Sequence, residues 1–305
     1  MLPLYRDLNH FLREKFGEKV CKICVDAGFS CPNRDGHIGR GGCLFCGEKG
    51  GGDFIPAPDA PIPEQIRRGA ILAGRRGVRR FVAYFQSFSN TYAPIPVLAA
   101  KYREALEDPR ICALAVATRP DCIDEAVADL LASFAPRCYV WVELGLQTAS
   151  EHTARQMHMG YTERDFERAV RTLACRGIDT VAHIMVGLPG QSHEEDLHTL
   201  ALVNALPVTG IKIHATYVCR DSGLAKLYLS GRYTPLTLHR YVDAVVDLLC
   251  HARPDLVIHR LTGDPPRHSL LAPDFVRNKI TVLNLIRKTM LDAGLVQGCR
   301  RKDSP

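Results

Sequence analysis

The sequence predicts an α/β fold in which a parallel sheet of six strand–helix units curls towards a barrel and carries a helical C-terminal extension. Three observations lead there. Short apolar runs alternate with amphipathic stretches from about residue 20 to residue 216, and strand–helix–strand repeats of this kind pair their strands in parallel with the helices outside. The polar, glycine-bearing segments fall just after the apolar runs, at the strand C-termini where parallel α/β barrels assemble their sites. No Gly-rich dinucleotide fingerprint follows the first apolar run, so the main signal for a doubly wound sheet is missing.

The strand candidates are residues 21–29, 80–86, 112–118, 138–144, 179–186 and 209–216. Each is short, rich in Val, Ile, Ala or aromatic residues, and bounded by Gly, Pro, Asp or Arg. Helical periodicity occupies 62–74, 94–106, 121–134, 162–176 and 192–205. Thr162 followed by Asp165, and Ser192 followed by Glu195, have the spacing of helix N-caps. Past residue 217 the alternation stops: a loop over 219–234, a helix over 236–251, a short apolar run at 256–258, a loop over 259–273 and a last helix over 275–293. The expected organisation is an N-terminal segment (1–20), a core (21–216) and an extension (217–305) packed on that core.

A chain of 305 residues, 46% hydrophobic and 24% charged, can bury a large core. Its net charge of +6, from 39 basic and 33 acidic residues, is compatible with an anionic partner such as RNA and equally with solvated faces. The densest basic stretch, Arg67, Arg68, Arg75, Arg76, Arg79 and Arg80, is expected on the outer face of one helix and its exit turn. The first residues lack the apolar segment of a signal peptide, and no apolar run approaches membrane-spanning length. The expected location is therefore cytoplasmic, with no membrane partner and with the twelve cysteines as thiols. Cys112, Cys122, Cys138, Cys175, Cys219, Cys250 and Cys299 stand singly in apolar surroundings and read as small packing residues.

Cys31, Cys43 and Cys46 differ from these. They lie on one glycine-rich loop after the first strand, with eleven residues between the first two and two between the second pair. Three thiolates can hold three irons of a cubane 4Fe–4S cluster and leave the fourth iron open; an electron carrier needs full ligation, whereas a cluster that acts on a substrate needs a vacancy. Zinc is one rival, because Cys21-Lys22-Ile23-Cys24 adds a second CxxC pair. However, Cys21, Ile23 and Val25 alternate with Lys22 and Cys24 as in a strand, which points those two thiols to opposite faces. A ferredoxin-like carrier using a remote fourth cysteine is the other rival, and an α/β body of this size is far more scaffold than a carrier needs. Gly36, Gly39, Gly41 and Gly42 let the backbone wrap closely round a bulky group, and loop amides can hydrogen-bond to cluster sulfides. Phe45, between the last two cysteines, would shield the cluster, lie against an adenine, or simply fill the core.

These features resemble the radical S-adenosylmethionine (radical SAM) superfamily, whose usual cysteine spacing is three residues then two. The widened spacing is similar to the branch that includes the radical SAM half of the Elongator catalytic subunit. The run Asp26-Ala27-Gly28-Phe29-Ser30-Cys31-Pro32-Asn33-Arg34-Asp35-Gly36 resembles a bacterial family of uncharacterised radical SAM proteins. Tyr84-Phe85-Gln86, Asn90-Thr91-Tyr92, Glu143-Leu144-Gly145-Leu146-Gln147-Thr148, Gly187-Leu188-Pro189-Gly190, Ile211-Lys212-Ile213-His214 and His259-Arg260 extend the likeness over nearly the whole chain.

The resemblance implies the partial (βα)6 TIM-like barrel of the radical SAM core. It implies a 4Fe–4S cluster on Cys31, Cys43 and Cys46, with the amino and carboxylate groups of S-adenosylmethionine on the open iron. The cofactor would be cleaved reductively to a 5′-deoxyadenosyl radical that takes a hydrogen atom from the substrate, with flavodoxin or ferredoxin as electron donor. Cofactor contacts are implied for Glu143 and Gln147, for Gln86 where relatives carry Gly-Gly-Glu, and for Phe45. Relatives often place an arginine where this chain has Met159; either Arg155 substitutes for it or the cofactor binds more weakly. Lys212 and His214 share one strand face and become substrate-contact candidates if that face is the interior, while His259, Arg260, Asp264 and Arg267 form a possible anion patch or a salt-bridged surface loop. Kinship with the Elongator branch implies tRNA, at wobble uridine, as substrate. The alternatives are radical chemistry on a small molecule or peptide, and a non-catalytic iron–sulfur or zinc RNA-binding protein.

Overall fold

A computed structural model describes residues 3–52, 55 and 59–301. Its elements run α1 (Leu8–Phe16), β1 (Val20–Val25), α2 (Ile62–Gly74), β2 (Arg80–Phe85), α3 (Ile95–Ala105), β3 (Ile111–Thr118), α4 (Glu125–Ala132), β4 (Tyr139–Gln147), α5 (Glu151–Gln156), α6 (Glu163–Ala174), β5 (Asp179–Val186), α7 (His193–Ala205), β6 (Gly210–Ala215), β7 (Val218–Cys219), α8 (Leu224–Leu229), α9 (Leu238–His251), β8 (Val257–Arg260), β9 (Leu270–Ala272) and α10 (Lys279–Asp292). Seven strands form one parallel sheet in the order β1-β2-β3-β4-β5-β6-β8, and β7 pairs with β9 in a small antiparallel ribbon. The sheet is the partial barrel that the alternation predicts. Its seventh strand comes from the extension, where Gly210 faces Val257 and Ile211 faces Ile258 across the β6–β8 ladder.

Alternation in the strands divides the molecule into two apolar layers. Ile23 and Val25, Phe81 and Phe85, Leu114 and Val116, Val142 and Leu144, Ile184, and Ile211 and Ile213 point outward and bury against the helices. Val20, Val82, Tyr84, Ala113, Ala115, Trp141 and Val181 point inward and pack on α1, which plugs the barrel at the N-terminal end of the strands. The small Ala113 and Ala115 leave room for Tyr84 and Trp141 across the narrow interior. Helix α1 starts where Asp7 accepts a hydrogen bond from the amide of His10 at 3.0 Å and stops at Gly17 in the left-handed region. Just before it, the Arg6 carbonyl accepts from the Ile258 amide at 2.7 Å, so the N-terminal segment docks on the outer edge of β8.

Both predicted N-caps are complete capping boxes, Thr162 with Asp165 on α6 and Ser192 with Glu195 on α7. Strand β1 ends at Val25 rather than running to residue 29, because Asp26 turns the chain. Its carboxylate accepts from Gly28 N at 2.8 Å, and its own amide donates to Gln65 Oε1 at 2.8 Å. Helix α4 begins at Glu125, after a 3-10 turn over Pro120–Cys122.

Candidate active site

The C-terminal ends of β1 to β6 and the segments that follow them, together with the end of β8 and the loop after it, enclose a cavity of about 320 Å³ at the C-terminal end of the barrel. Cys31, Cys43, Phe45 and Cys46 line its wall together with Gln86, Gln147, Arg34 and Arg119; Glu143, His183, Lys212, His214 and Arg260 form its floor. All seven expected site residues therefore face one space.

The eleven-residue spacing becomes a lobe folded on itself. The amides of Arg34 and Asp35 donate to Cys31 O at 2.8 and 3.2 Å, Ile38 N donates to Pro32 O at 2.8 Å, and Gly42 N donates to Asn33 O at 2.8 Å. Gly42 has φ of +81°, and a Cβ there would sit 2.9 Å from Arg34 Nε, so glycine is required. The buried Asn33 ties the lobe to the barrel: its Nδ2 donates to His158 O at 2.6 Å and approaches Cys43 Sγ at 3.5 Å. Leu44 N donates to Met157 O at 3.0 Å and fixes the other limb. An Asn33→Ala variant leaves the His158 carbonyl without this donor, which costs about 1–3 kcal/mol. The expected result is a lower urea midpoint together with less iron retained per chain after anaerobic reconstitution.

The hydrogen bond between Cys43 and Cys46 pushes the Cys43 thiol well above its ordinary range, with burial adding to the effect. The same contact lowers Cys46 against the opposing effect of burial, and the Arg34 guanidinium assists. Of the two sulfurs, Cys46 is therefore the one that ionises more readily. Cys21 packs against the outer core while Cys24 lines the cavity, so the two CxxC pairs do not converge. Among the described residues no group of three His, Cys, Asp or Glu is placed to hold a single metal ion. Ligands of a cubane bind separate corners and need no such convergence, so the three-sulfur donor set fits an iron–sulfur cluster better than tetrahedral zinc.

Two cofactor candidates lie in uncommitted positions. Gln147 ends β4 at φ of +61°, beyond a break in the β4–β5 ladder, and its Oε1 is buried without a hydrogen-bond partner. A strained residue with an unsatisfied acceptor facing a cavity is a mark of a binding position. Gln86 is half-buried just past β2, where its amide donates to Val25 O at 3.3 Å.

Glu143 is differently placed. Its Oε1 accepts from Lys22 Nζ at 2.6 Å and Trp141 Nε1 at 3.2 Å, and its Oε2 accepts from Lys212 Nζ. Lys212 also donates to Tyr84 OH at 2.9 Å. Burial alone would raise the Glu143 pKa, but Lys212 and Lys22 outweigh it and hold the carboxyl well below its usual range. Burial lowers Lys212 to about 7, against the pull of Glu143. Neighbouring His183 falls to about 3 and His259 to about 4, chiefly through burial, so both imidazoles are neutral.

His259 is not part of a surface patch. It is buried inside the barrel with Nδ1 3.8 Å from Glu143 Oε1, while Arg267 is exposed outside the cavity. Arg155 is exposed and paired with Glu151 at 3.4 Å, away from the cavity wall. The arginine that does reach the wall is Arg119, which sequence reasoning missed. It is buried, paired with Asp121 at 2.9 Å, bonded to Met159 O at 2.9 Å, and stacked 4.7 Å from the Tyr161 ring centre. Its signal was Thr118-Arg119-Pro120-Asp121 at a strand C-terminus. The arginine stretch from Arg75 to Arg80 lies at the end of α2 and the start of β2. That is the opposite end of the barrel from the cavity mouth, and Arg67 and Arg68 are both paired with Glu64.

Residues 34–203 match the family model of the radical SAM superfamily, and residues 208–292 match that of the Radical_SAM C-terminal domain. "Uncharacterized protein YtqA" of Bacillus subtilis is 38% identical over 297 residues, covering 96% of this chain and 92% of that protein. "Protein YhcC" of Escherichia coli is 37% identical over 301 residues, covering 97% and 96%. "Elongator complex protein 3" of Schizosaccharomyces pombe is 28% identical over 172 residues, 55% of this chain and 31% of that protein. The solved archaeal Methanocaldococcus infernus Elp3 with an N-terminal deletion shares the fold at a TM-score of 0.71 and 16% identity; it covers 91% of this chain, which in turn spans 64% of that structure.

Proposed function

Since the chain belongs to the radical SAM superfamily, we propose that Cys31, Cys43 and Cys46 hold its 4Fe–4S cluster and that cofactor and substrate meet in the cavity they line. The enzyme class and the two cofactors, a 4Fe–4S cluster and S-adenosylmethionine, follow from that membership. When bound, they supply a one-electron reductive cleavage whose adenosyl product abstracts a hydrogen atom. The chain's own residues bind, orient and shield. Gln147 offers a free buried acceptor, and Gln86 a half-buried side-chain amide just past the second strand. Phe45 offers an apolar face beside the sulfurs, and Arg119 a fixed positive charge. Glu143 contributes by keeping Lys22 and Lys212 in place beneath them. The observation that carries the assignment is the convergence of three loop thiols on a cavity whose buried Gln147 acceptor has no partner.

The electron donor is a flavodoxin or ferredoxin, the setting is cytoplasmic, and the substrate is tRNA at wobble uridine. The likeness to Elongator complex protein 3 supports the tRNA reading; among the described residues no helix is long and apolar enough to cross a membrane. Radical chemistry on a small molecule or peptide is the second reading, favoured by the remoteness of the arginine stretch from the cavity mouth. Nucleoside profiles of tRNA from cells with and without the gene decide between them. The expected result is loss of one modified wobble uridine with build-up of its precursor; identical profiles would overturn the tRNA assignment.

A further inference from the structure

The cavity floor carries more positive charge than its carboxylate can balance. Lys22, Lys212 and Arg260 are opposed by Glu143 alone, and both Glu143 oxygens are already taken by the two lysines and Trp141. Arg260, at the end of β8, donates from Nη1 to His214 Nε2 at 3.1 Å, and among the described residues no carboxylate lies within ion-pair distance of it. That bond makes Nε2 of His214 an acceptor, so the histidine is neutral and offsets nothing. The rim carboxylates are committed elsewhere, Asp264 to Lys279 at 3.2 Å and Asp221 to the Glu48 amide at 2.7 Å. His183 packs 4.6 Å from His214, and its Nε2 is buried with no partner. Uncompensated cations and an idle imidazole nitrogen inside a low-dielectric cavity call for an anion that can also hydrogen-bond.

We propose that Lys212, Arg260, His183 and His214 form a subsite for an oxyanion, a carboxylate or phosphate carried by the substrate. The inference rests on the radical SAM reading in one respect: the cofactor's own carboxylate would belong on the open iron beside the loop cysteines, whereas this subsite is built from side chains of strands β5, β6 and β8 at the cavity floor. The acidic group anchors the substrate at the floor and presents the rest of it to the cysteine wall.

Trp141 is the only tryptophan and touches the Glu143 carboxylate, so its fluorescence reports on the floor. The test titrates cluster-loaded protein, saturated with S-adenosylmethionine at constant ionic strength, with inorganic phosphate and separately with succinate. A saturable change with either probe is expected, and the preferred probe tells phosphate from carboxylate. Arg260→Gln weakens that binding about tenfold or more; Arg260→Lys recovers most of it, which excludes misfolding as the cause. Cofactor affinity by equilibrium dialysis stays within about twofold. Absence of saturation with both probes, unchanged probe binding in Arg260→Gln, or an equal loss of cofactor affinity in that variant each overturn the proposal. Failure of reductive cleavage would strike the radical SAM assignment instead, because the titration does not depend on turnover.

Discussion

Cys43→Ala is expected to remove the bound cluster and with it all reductive cleavage of S-adenosylmethionine. Cys43 is the most enclosed of the three loop thiols, sharing a hydrogen bond with Cys46 and approached by Asn33 Nδ2 at 3.5 Å. Loss of an outer-shell partner of a metal ligand costs about 10–100-fold, so loss of the ligand itself should lower 5′-deoxyadenosine release by more than about 100-fold. The control is Cys24→Ala, which removes a thiol from the same cavity but from strand β1 rather than the loop. It should retain the iron content and visible absorption of the parent. Anaerobic reconstitution followed by iron analysis and chromatography of the nucleoside product reads both variants. A Cys43→Ala protein that still carries a full cluster and cleaves the cofactor would show that the sulfurs are assigned wrongly.

The sequence carried the outer architecture well because outward packing has a period that short windows detect. Ile23 with Val25, Phe81 with Phe85 and Ile211 with Ile213 each bury one sheet face, and β5 has the predicted bounds, Asp179–Val186. The capped helices α6 and α7 were equally visible. Short elements held by tertiary contacts were not. Helix α1 has nine residues between Asp7 and Gly17, and its meaning lies in plugging a barrel whose other walls come from residues far along the chain. Strand β8 is an edge strand of four residues whose His259 and Arg260 serve the cavity, so its hydrophobic signal ends at Ile258. The site was legible where chemistry repeats at fixed spacing, as in the cysteines, or at strand ends, as in Gln86 and Gln147. Asn33 and the pairing of Lys22 with Glu143 were illegible, because each depends on which distant backbone or side chain lies opposite. Lys22 and Glu143 are 121 positions apart.

That pairing predicts the largest effect on stability. Glu143→Gln leaves two buried ammonium groups round a neutral amide, and stripping one partner from a buried ion pair costs about 3–5 kcal/mol. The loss should depend on pH in a direction that follows from the two shifts. In the parent protein Glu143 is held below the ordinary 4.5, so its stabilising contribution is complete above that pH and fades as pH falls through the lowered value. Lys212 is depressed from 10.5 to about 7. Between those values the unfolded chain binds a proton that the folded chain has released, so stability rises with pH. Without its carboxylate Lys212 releases that proton more readily still, and the variant's rise with pH begins lower. Urea denaturation at pH 5, 7 and 9 should therefore show the gap between parent and variant widest near pH 5 and narrowing by pH 9, as Lys212 discharges. Adding Lys212→Met to Glu143→Gln should recover part of the loss, because it removes one of the stranded charges. A deficit equal at all three pH values, and unchanged in the double variant, would mean that packing rather than charge sets the cost at the floor of the cavity.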